Sequence, residues 1–277
     1  MSSILTNSSA MVALQTLNMV NKGLNDTQNR VSTGLQISSG KDNAAYFAIS
    51  ENMKSDSGMF KAINEGLTST KNSVSTARAG AEEVVDLARQ FVERVAFAQD
   101  ESVDHSLVQA ELVALADRMT STIGNATFNG DSMVDGGGTR SIVSGISRDS
   151  AGALSVTNMD IDEVDLGAIV TALAALDIDA AADAAAREVI LTSANTQLEA
   201  ATSAATTLGI GEKAVESQQS FLSALTDTLD SGVSAMVDAD MEQEAARLQA
   251  YQVQQQLATQ SLSMANQAPQ NILSLFR

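Results

Sequence analysis

DADMEQEAARLQAYQVQQQLATQSLSMANQAPQNILSLFR, residues 238–277, decides how the rest of the chain is read. From Met241 to Gln267 it holds neither Pro nor Gly and is rich in Gln and Ala, so helix is the expected state. A helix of about 28 residues is roughly 42 Å long. Asp238 or Asp240 can cap its start, and Glu242 and Glu244 occupy the first turn, where acids are favoured. The chain's only proline, Pro269, marks the expected stop. Beyond it come Ile272, Leu273, Leu275 and Phe276. An apolar end on a single long helix has no core of its own, and it requires a partner.

The composition points the same way. Aromatic residues make up 3% of the 277, Trp and Cys are absent, and Ala, Leu, Val and Met supply most of the apolar mass. Small aliphatic side chains suit helices packed closely over a long contact. Without Cys there are no disulfides, thiolate metal sites or cysteine nucleophiles. The amino terminus has no basic segment before Lys22 and no continuous apolar stretch, so a cleavable secretory signal is not expected. The longest apolar run, 167–176, is too short to span a membrane. Charge is unevenly distributed. Residues 1–50 carry Lys22, Arg30 and Lys41 against Asp26 and Asp42, a net +1. Residues 241–277 balance to zero, so the total of −18 leaves −19 in the middle. Neutral ends suit burial in an assembly, an acidic middle suits solvent, and nucleic acid is excluded as a partner.

Taken in order, residues 3–34 form one helix, with Ala10, Leu17, Leu24 and Val31 at seven-residue steps and Ala13, Val20 and Thr27 between them. Ile4, Leu5, Met11, Val12 and Leu14 make a second apolar face, so this helix belongs inside a bundle or assembly. Residues 32–43 are a polar connector. A second helix spans 43 to about 98, with Val84, Leu87 and Phe91 on one stripe, and a third about 106–123, with Val108, Leu112, Leu115 and Met119 inward. Asn129-Gly130 signals a tight turn, and residues 127–158 read as small hairpins. Asp160 to Asp165 and Asp177 to Asp183 read as acidic caps around a short helix, 166–176. From 181 to 237, Ala194, Ala201, Leu208, Val215, Leu222, Leu229 and Met236 hold one heptad register, with Gly209 and Gly211 as a weak middle. The expected class is mainly α: a long helical hairpin and coiled-coil bundle formed by both chain ends, with a small β-hairpin region in the middle. Its parts are 1–42 with 238–277, 43–130 with 181–237, and 131–180.

No chemistry emerges. His105 is the single histidine and has no partner at ligand spacing, so it reads as an exposed loop residue. Gly40-Lys41 lacks the rest of a phosphate loop, and Asp160-x-Asp162-x-x-Asp165 lacks the Gly and closing Glu of a calcium loop. No metal, cofactor or catalytic residue is expected. The chain reads as a non-enzyme.

The two ends, however, carry a family pattern. Ile4-x-Thr6-Asn7-x-x-x-Met11-x-Ala13-Leu14-x-x-Leu17, Arg30-Val31-Ser32-Thr33-Gly34-Leu35-x-Ile37 and Asp42-Asn43-Ala44-Ala45 resemble bacterial flagellin. So do Asp240-Met241-x-x-Glu244-x-Ala246-x-Leu248, the Gln-rich 252–256, and Ala265-Asn266-Gln267 through Ile272-Leu273-Ser274-Leu275-Phe276-Arg277. The helix containing Val108-Gln109-Ala110-Glu111 and the turn Thr127-Phe128-Asn129-Gly130 also match, so the resemblance covers roughly 1–135 and 185–277.

The resemblance implies a self-assembling structural subunit of the flagellar filament, in a short form with a minimal outer region. It implies export of the unfolded chain through the flagellar type III apparatus and an extracellular location. The implied partners are many copies of itself, an export chaperone, the filament cap, the hook-junction proteins and other flagellins, with neither nucleic acid nor membrane among them. The terminal helices would pair as a coiled coil. Their assembly residues would be Ala10, Leu14, Leu17, Val20, Leu24 and Val31, with Met241, Leu248, Val253, Leu257, Leu262, Ile272, Leu273, Leu275 and Phe276. Around them a second shell would pack on Val84, Leu87, Phe91, Val108, Leu112, Leu115, Met119, Leu208, Val215, Leu222, Leu229 and Met236. The stretch read by Toll-like receptor 5 in many flagellins corresponds to residues 87–96 in altered form, with Arg89, Arg94 and Glu111 as its candidates here. The alternatives are a hook–filament junction protein, which shares related ends, and an enzyme or non-polymerising coiled-coil module. The complete NILSLFR ending and short middle favour flagellin over the junction protein.

Overall fold

A computed structural model describes residues 7–149 and 152–275, with side chains as far as Gln267. In chain order the elements are α1 (Ser8–Thr33), α2 (Ala44–Phe97), α3 (His105–Asn125), β1 (Thr127–Phe128), β2 (Asp131–Ser132), β3 (Thr139–Arg148), β4 (Leu154–Asp162), α4 (Leu166–Ala174), α5 (Ala184–Val237) and α6 (Met241–Leu275). The mainly helical class with a small central β region is the one expected. The chain divides into two compact units, Met1–Ser57 with Thr228–Arg277, and Gly58–Asp227.

In the second unit α2 and α5 run antiparallel, since partners rise along one as they fall along the other. Asn64 Nδ2 donates to Ser223 Oγ (3.1 Å), Lys71 Nζ meets Glu216 Oε1 (2.9 Å) and Arg78 Nε meets Glu212 Oε2 (2.6 Å). Beneath these polar edges lie two heptad lines. On α2, Leu67, Val74, Ala81, Ala88 and Val95 are buried, as are Ala77, Val84 and Phe91, and Ala98 just past its end. On α5, Ala194, Ala201, Leu208, Val215 and Leu222 are buried. Alanine has no side-chain rotamers to freeze, and at these positions it lets helix backbones approach closely.

Asp104 starts α3 by accepting from the Ser106 and Leu107 amides, and Val108, Leu112, Ala116 and Met119 are its buried stripe. The helix ends against α2, where a Cβ built on Gly80 would stand 2.4 Å from the Ala126 Cβ. Only a hydrogen atom fits at that point. The two-residue turn between β1 and β2 uses left-handed backbone at Asn129 (φ 53°) and Gly130 (φ 80°), the conformations an Asn-Gly hairpin turn requires. β3 and β4 form one longer antiparallel hairpin with a bulge between Val143 and Gly145. α4 packs on α3 through buried Leu166, Val170 and Leu173, and Gln109 ties down the segment after it, accepting from Ile178 N at 2.9 Å.

Four local readings change. Asp160 and Asp162 lie inside β4, because pairing with Ser141 and Thr139 extends the strand through them; Asp165 caps α4, accepting from Ala168 N, and Asp183 caps α5, accepting from Ala186 N. Gly209 and Gly211 interrupt nothing: α5 is continuous, and a Cβ on Gly211 would stand 3.0 Å from Ile161 Cγ2 of the hairpin. His105 belongs to α3 and its Nε2 donates to the Ala98 carbonyl at the end of α2 (3.1 Å). The last helix continues past Pro269 to Leu275.

Candidate functional site

The first unit is built on α1 and α6. Asn7 caps α1 by accepting from Ala10 N at 3.1 Å, and Gly34 (φ 72°) closes it, its N–H reaching Arg30 O at 2.8 Å. The connector then pairs with the chain entering α6. Gln36 N donates to Val237 O (2.7 Å), Ala239 N donates to Gly34 O (2.8 Å), and Leu35 and Asp238 form an antiparallel bridge. Asp42 folds the rest of the connector. Its carboxylate takes the N–H groups of Ser38 and Ser39 and both hydroxyls, and the Ser38 amide above all holds it below the usual carboxylate range. Deeper in this unit Ser57 Oγ donates to Asp230 Oδ1 at 2.6 Å.

From that clamp α1 and α6 run antiparallel in one register. Arg30 Nη1 lies 3.5 Å from Glu244 Oε1, Gln255 Nε2 donates to Asn21 Oδ1 (2.7 Å), and Asn7 Nδ2 donates to Ala265 O (2.8 Å). The α1 seam is the expected one: Val20, Leu24 and Thr27 are buried, and Ala10, Ala13, Leu17 and Val31 are half-buried. On α6 the seam steps by four and three through Glu244, Leu248, Tyr251, Gln255, Ala258, Leu262 and Ala265. Leu248 and Leu262 lie in this seam, and Met241, Val253 and Leu257 do not. They stand outside the pair, Val253 at 55% and Leu257 at 60% exposure. Periodicity of the apolar residues missed this seam because five of its seven positions are polar, aromatic or alanine. Leu14 likewise faces outward. The side chains of Ile272, Leu273 and Leu275, and Phe276 as a whole, lie outside the described residues.

Glu244 is the polar centre of the pair. It is 3% exposed and sits between Arg30 and Arg247, the latter at 2.7 Å. Outside the seam, α1 presents Met11, Val12, Leu14 and Met19 to solvent, the two methionines at 66% and 61%. α6 adds Met241, Val253, Leu257 and Met264. Two helices with a thin mixed seam and two outward apolar faces are suited to packing against further helices.

In the second unit Val84, Leu87, Phe91, Val108, Leu112, Met119, Leu208, Val215 and Leu222 are buried and Leu115 half-buried. Leu229 and Met236, also half-buried, fall in the first unit. α2 and α3 bring Arg94 and Glu111 together, Nε to Oε2 at 3.3 Å, in one hollow with Gln90 and Arg118. Arg89 is separate and pairs with Asp86 (2.9 Å) on its own helix. Among the described residues no three acids or histidines are grouped to hold a metal, and no helix is long and apolar enough to cross a membrane.

Comparison with known proteins agrees with this architecture. The bacterial flagellin N-terminal helical region matches residues 4–139, and the C-terminal helical region matches 188–276. Flagellin of Brucella melitensis is 38% identical, with all of both chains covered. Flagellin FljM of Caulobacter vibrioides is 34% identical over all of this chain and 99% of its own, and flagellin C of Rhizobium meliloti is 31% identical over all of both. A flagellar hook-associated protein structure from Vibrio parahaemolyticus shares the fold, with a TM-score of 0.50 at 14% identity over 71% of this chain and 100% of that one. That likeness shows the fold alone, and the three relatives named above, each matched over the whole of this chain at more than 30% identity, are flagellins. The chain belongs to the bacterial flagellin family, the structural subunits of the flagellar filament.

Proposed function

We propose that this flagellin polymerises through the outward apolar faces of α1 and α6, burying in neighbouring copies what the helix pair leaves in water. The observation that carries this reading is Met11, Val12, Leu14 and Met19, all exposed on a helix whose other face is already occupied by α6. A full Met, Val or Leu side chain contributes about 1.5–3 kcal/mol on burial. Four such residues repeated in every subunit make this face a strong determinant of assembly. The near-neutral charge of residues 1–50 and 241–277 favours their close packing, and the acidic middle keeps like-charged outer surfaces dispersed in water.

As a flagellin the chain would be exported unfolded through the flagellar type III apparatus, with a chaperone on its carboxyl-terminal segment, and placed at the filament tip beneath the cap. Hook-junction proteins would precede it, and other flagellins would share the filament. Its role is mechanical and uses no cofactor or catalytic step. The solvent-facing Arg94–Glu111 hollow would be the contact for an immune receptor, in altered form.

The test replaces Met11 and Met19 together by Glu and follows polymerisation by electron microscopy. The concentration needed for filaments should rise at least about a hundredfold, since roughly 3–4 kcal/mol of burial is lost. Filaments at the wild-type concentration would remove α1's outer face from the assembly.

A further inference from the structure

α6 passes through Pro269 and continues to Leu275. Proline carries no N–H, and in an α-helix the N–H of one residue serves the carbonyl four positions earlier. The carbonyl left without its helical donor is that of Ala265. Asn7 Nδ2 donates to this oxygen at 2.8 Å, across 258 residues of chain. The same amide's Oδ1 accepts from Ala10 N and so caps α1. One side chain therefore starts the first helix with its acceptor and replaces the hydrogen bond missing from the last helix with its donor. Ser, Thr and Asp cap a helix as well as Asn does, but none carries an NH2 group.

The bond is sensitive to register. The opposite end of the pair is fixed by the Leu35–Asp238 bridge and by Ala239 N on Gly34 O. Sliding α6 by one residue would carry the Ala265 carbonyl about 1.5 Å along the axis and about 100° around it, away from Asn7. In any other register the proline-freed carbonyl would lose this partner.

We propose that Asn7 is a positioning residue that selects the α1–α6 register in which α6 crosses Pro269, and that Pro269 makes this selection necessary by removing the helix's own donor. The assignment deepens, and rests on, the reading of the helix pair as the assembly element.

The test is a double-mutant cycle on the full-length chain, read as the monomer concentration in equilibrium with filaments. Asn7→Ser keeps the cap acceptor but cannot reach Ala265. It should raise that concentration about five- to tenfold, the effect of one orphaned polar group. Pro269→Ala returns an N–H to α6. In that background Asn7→Ser should change the concentration less than about twofold, and hydrogen exchange in the filaments should show residues 266–275 protected again. Equal losses in both backgrounds, or no loss in either, would overturn the assignment. A wild-type chain that forms no filaments would instead overturn the assembly reading beneath it.

Discussion

Gly80 offers a direct measurement of how closely α2 meets the end of α3. An added Cβ there would lie 2.4 Å from the Ala126 Cβ and 3.6 Å from its Cα. Carbon atoms in contact prefer about 3.5–4.0 Å, so the first distance is short by more than 1 Å. Neither atom belongs to a flexible side chain: both are fixed to backbone, one inside α2 and the other at the α3 cap, where the Ala126 N–H is bonded to Thr122 O and Ile123 O. Relief requires moving a helix, and overpacking of this kind costs about 1–3 kcal/mol. Gly80→Ala also gains about 1 kcal/mol of helix propensity, which would disguise part of the cost. Gly66 removes the ambiguity. It lies in the same helix and the same unit, with nothing within 4 Å of its added Cβ. Gly66→Ala should therefore show the propensity gain alone, and the difference between the variants the steric cost alone. At about 2–4 °C per kcal/mol, the thermal midpoints followed by helical circular dichroism should differ by about 2–12 °C, with Gly66→Ala higher. Coincident midpoints would refute the close approach of Gly80 to Ala126.

Two further predictions concern charge. Glu244→Lys places a third cation between Arg30 and Arg247 at a buried site and should abolish filaments, whereas Glu244→Gln should allow them at reduced stability; sedimentation of polymer separates the two. In the second unit the Arg140 guanidinium, and secondarily the Ser73 hydroxyl, holds Asp131 below the usual carboxylate range. A carboxylate with a depressed folded pKa stabilises fully above its unfolded value of about 3.9 and loses that contribution as pH falls through the folded pKa. The thermal midpoint should thus drop on acidification below about pH 4, and Asp131→Asn should flatten that part of the profile.

The sequence was most legible where apolar residues themselves kept the period. Leu208, Val215 and Leu222 are buried at the positions their spacing assigns, and Asn129-Gly130 turns where its left-handed preference dictates. It was least legible where a position is specified by what lies opposite it. Tyr251 and Gln255 sit in the α6 seam because Gly23 leaves room for a ring and Asn21 offers an acceptor, facts held by another part of the chain. Pro269 reads as a stop under any local rule, since that rule has no knowledge of a donor from Asn7. Gly211 reads as a weak point until Ile161 is seen against it. Met241, Val253 and Leu257 read as interface residues by their chemistry, and nothing local shows that they face away from α1. Among the receptor candidates, Arg94 and Glu111 come from different helices, and nothing local in either helix shows that they meet.

The antiparallel terminal pair also bears on the order of folding. The Asn7–Ala265 contact closes 258 residues of chain, while the Lys71–Glu216 contact of the second unit closes 145. Contacts distant in sequence are slow to form, and closing inner loops first shortens the outer ones. The α1–α6 contacts, from Leu35–Asp238 to Asn7–Ala265, close longer loops than those within residues 58–227 and are expected to form after them. The last segment to close is therefore the one with the thinnest seam. Such a chain can present a finished middle while its two ends are still unzipped, and a neighbouring copy can supply the contacts that close them.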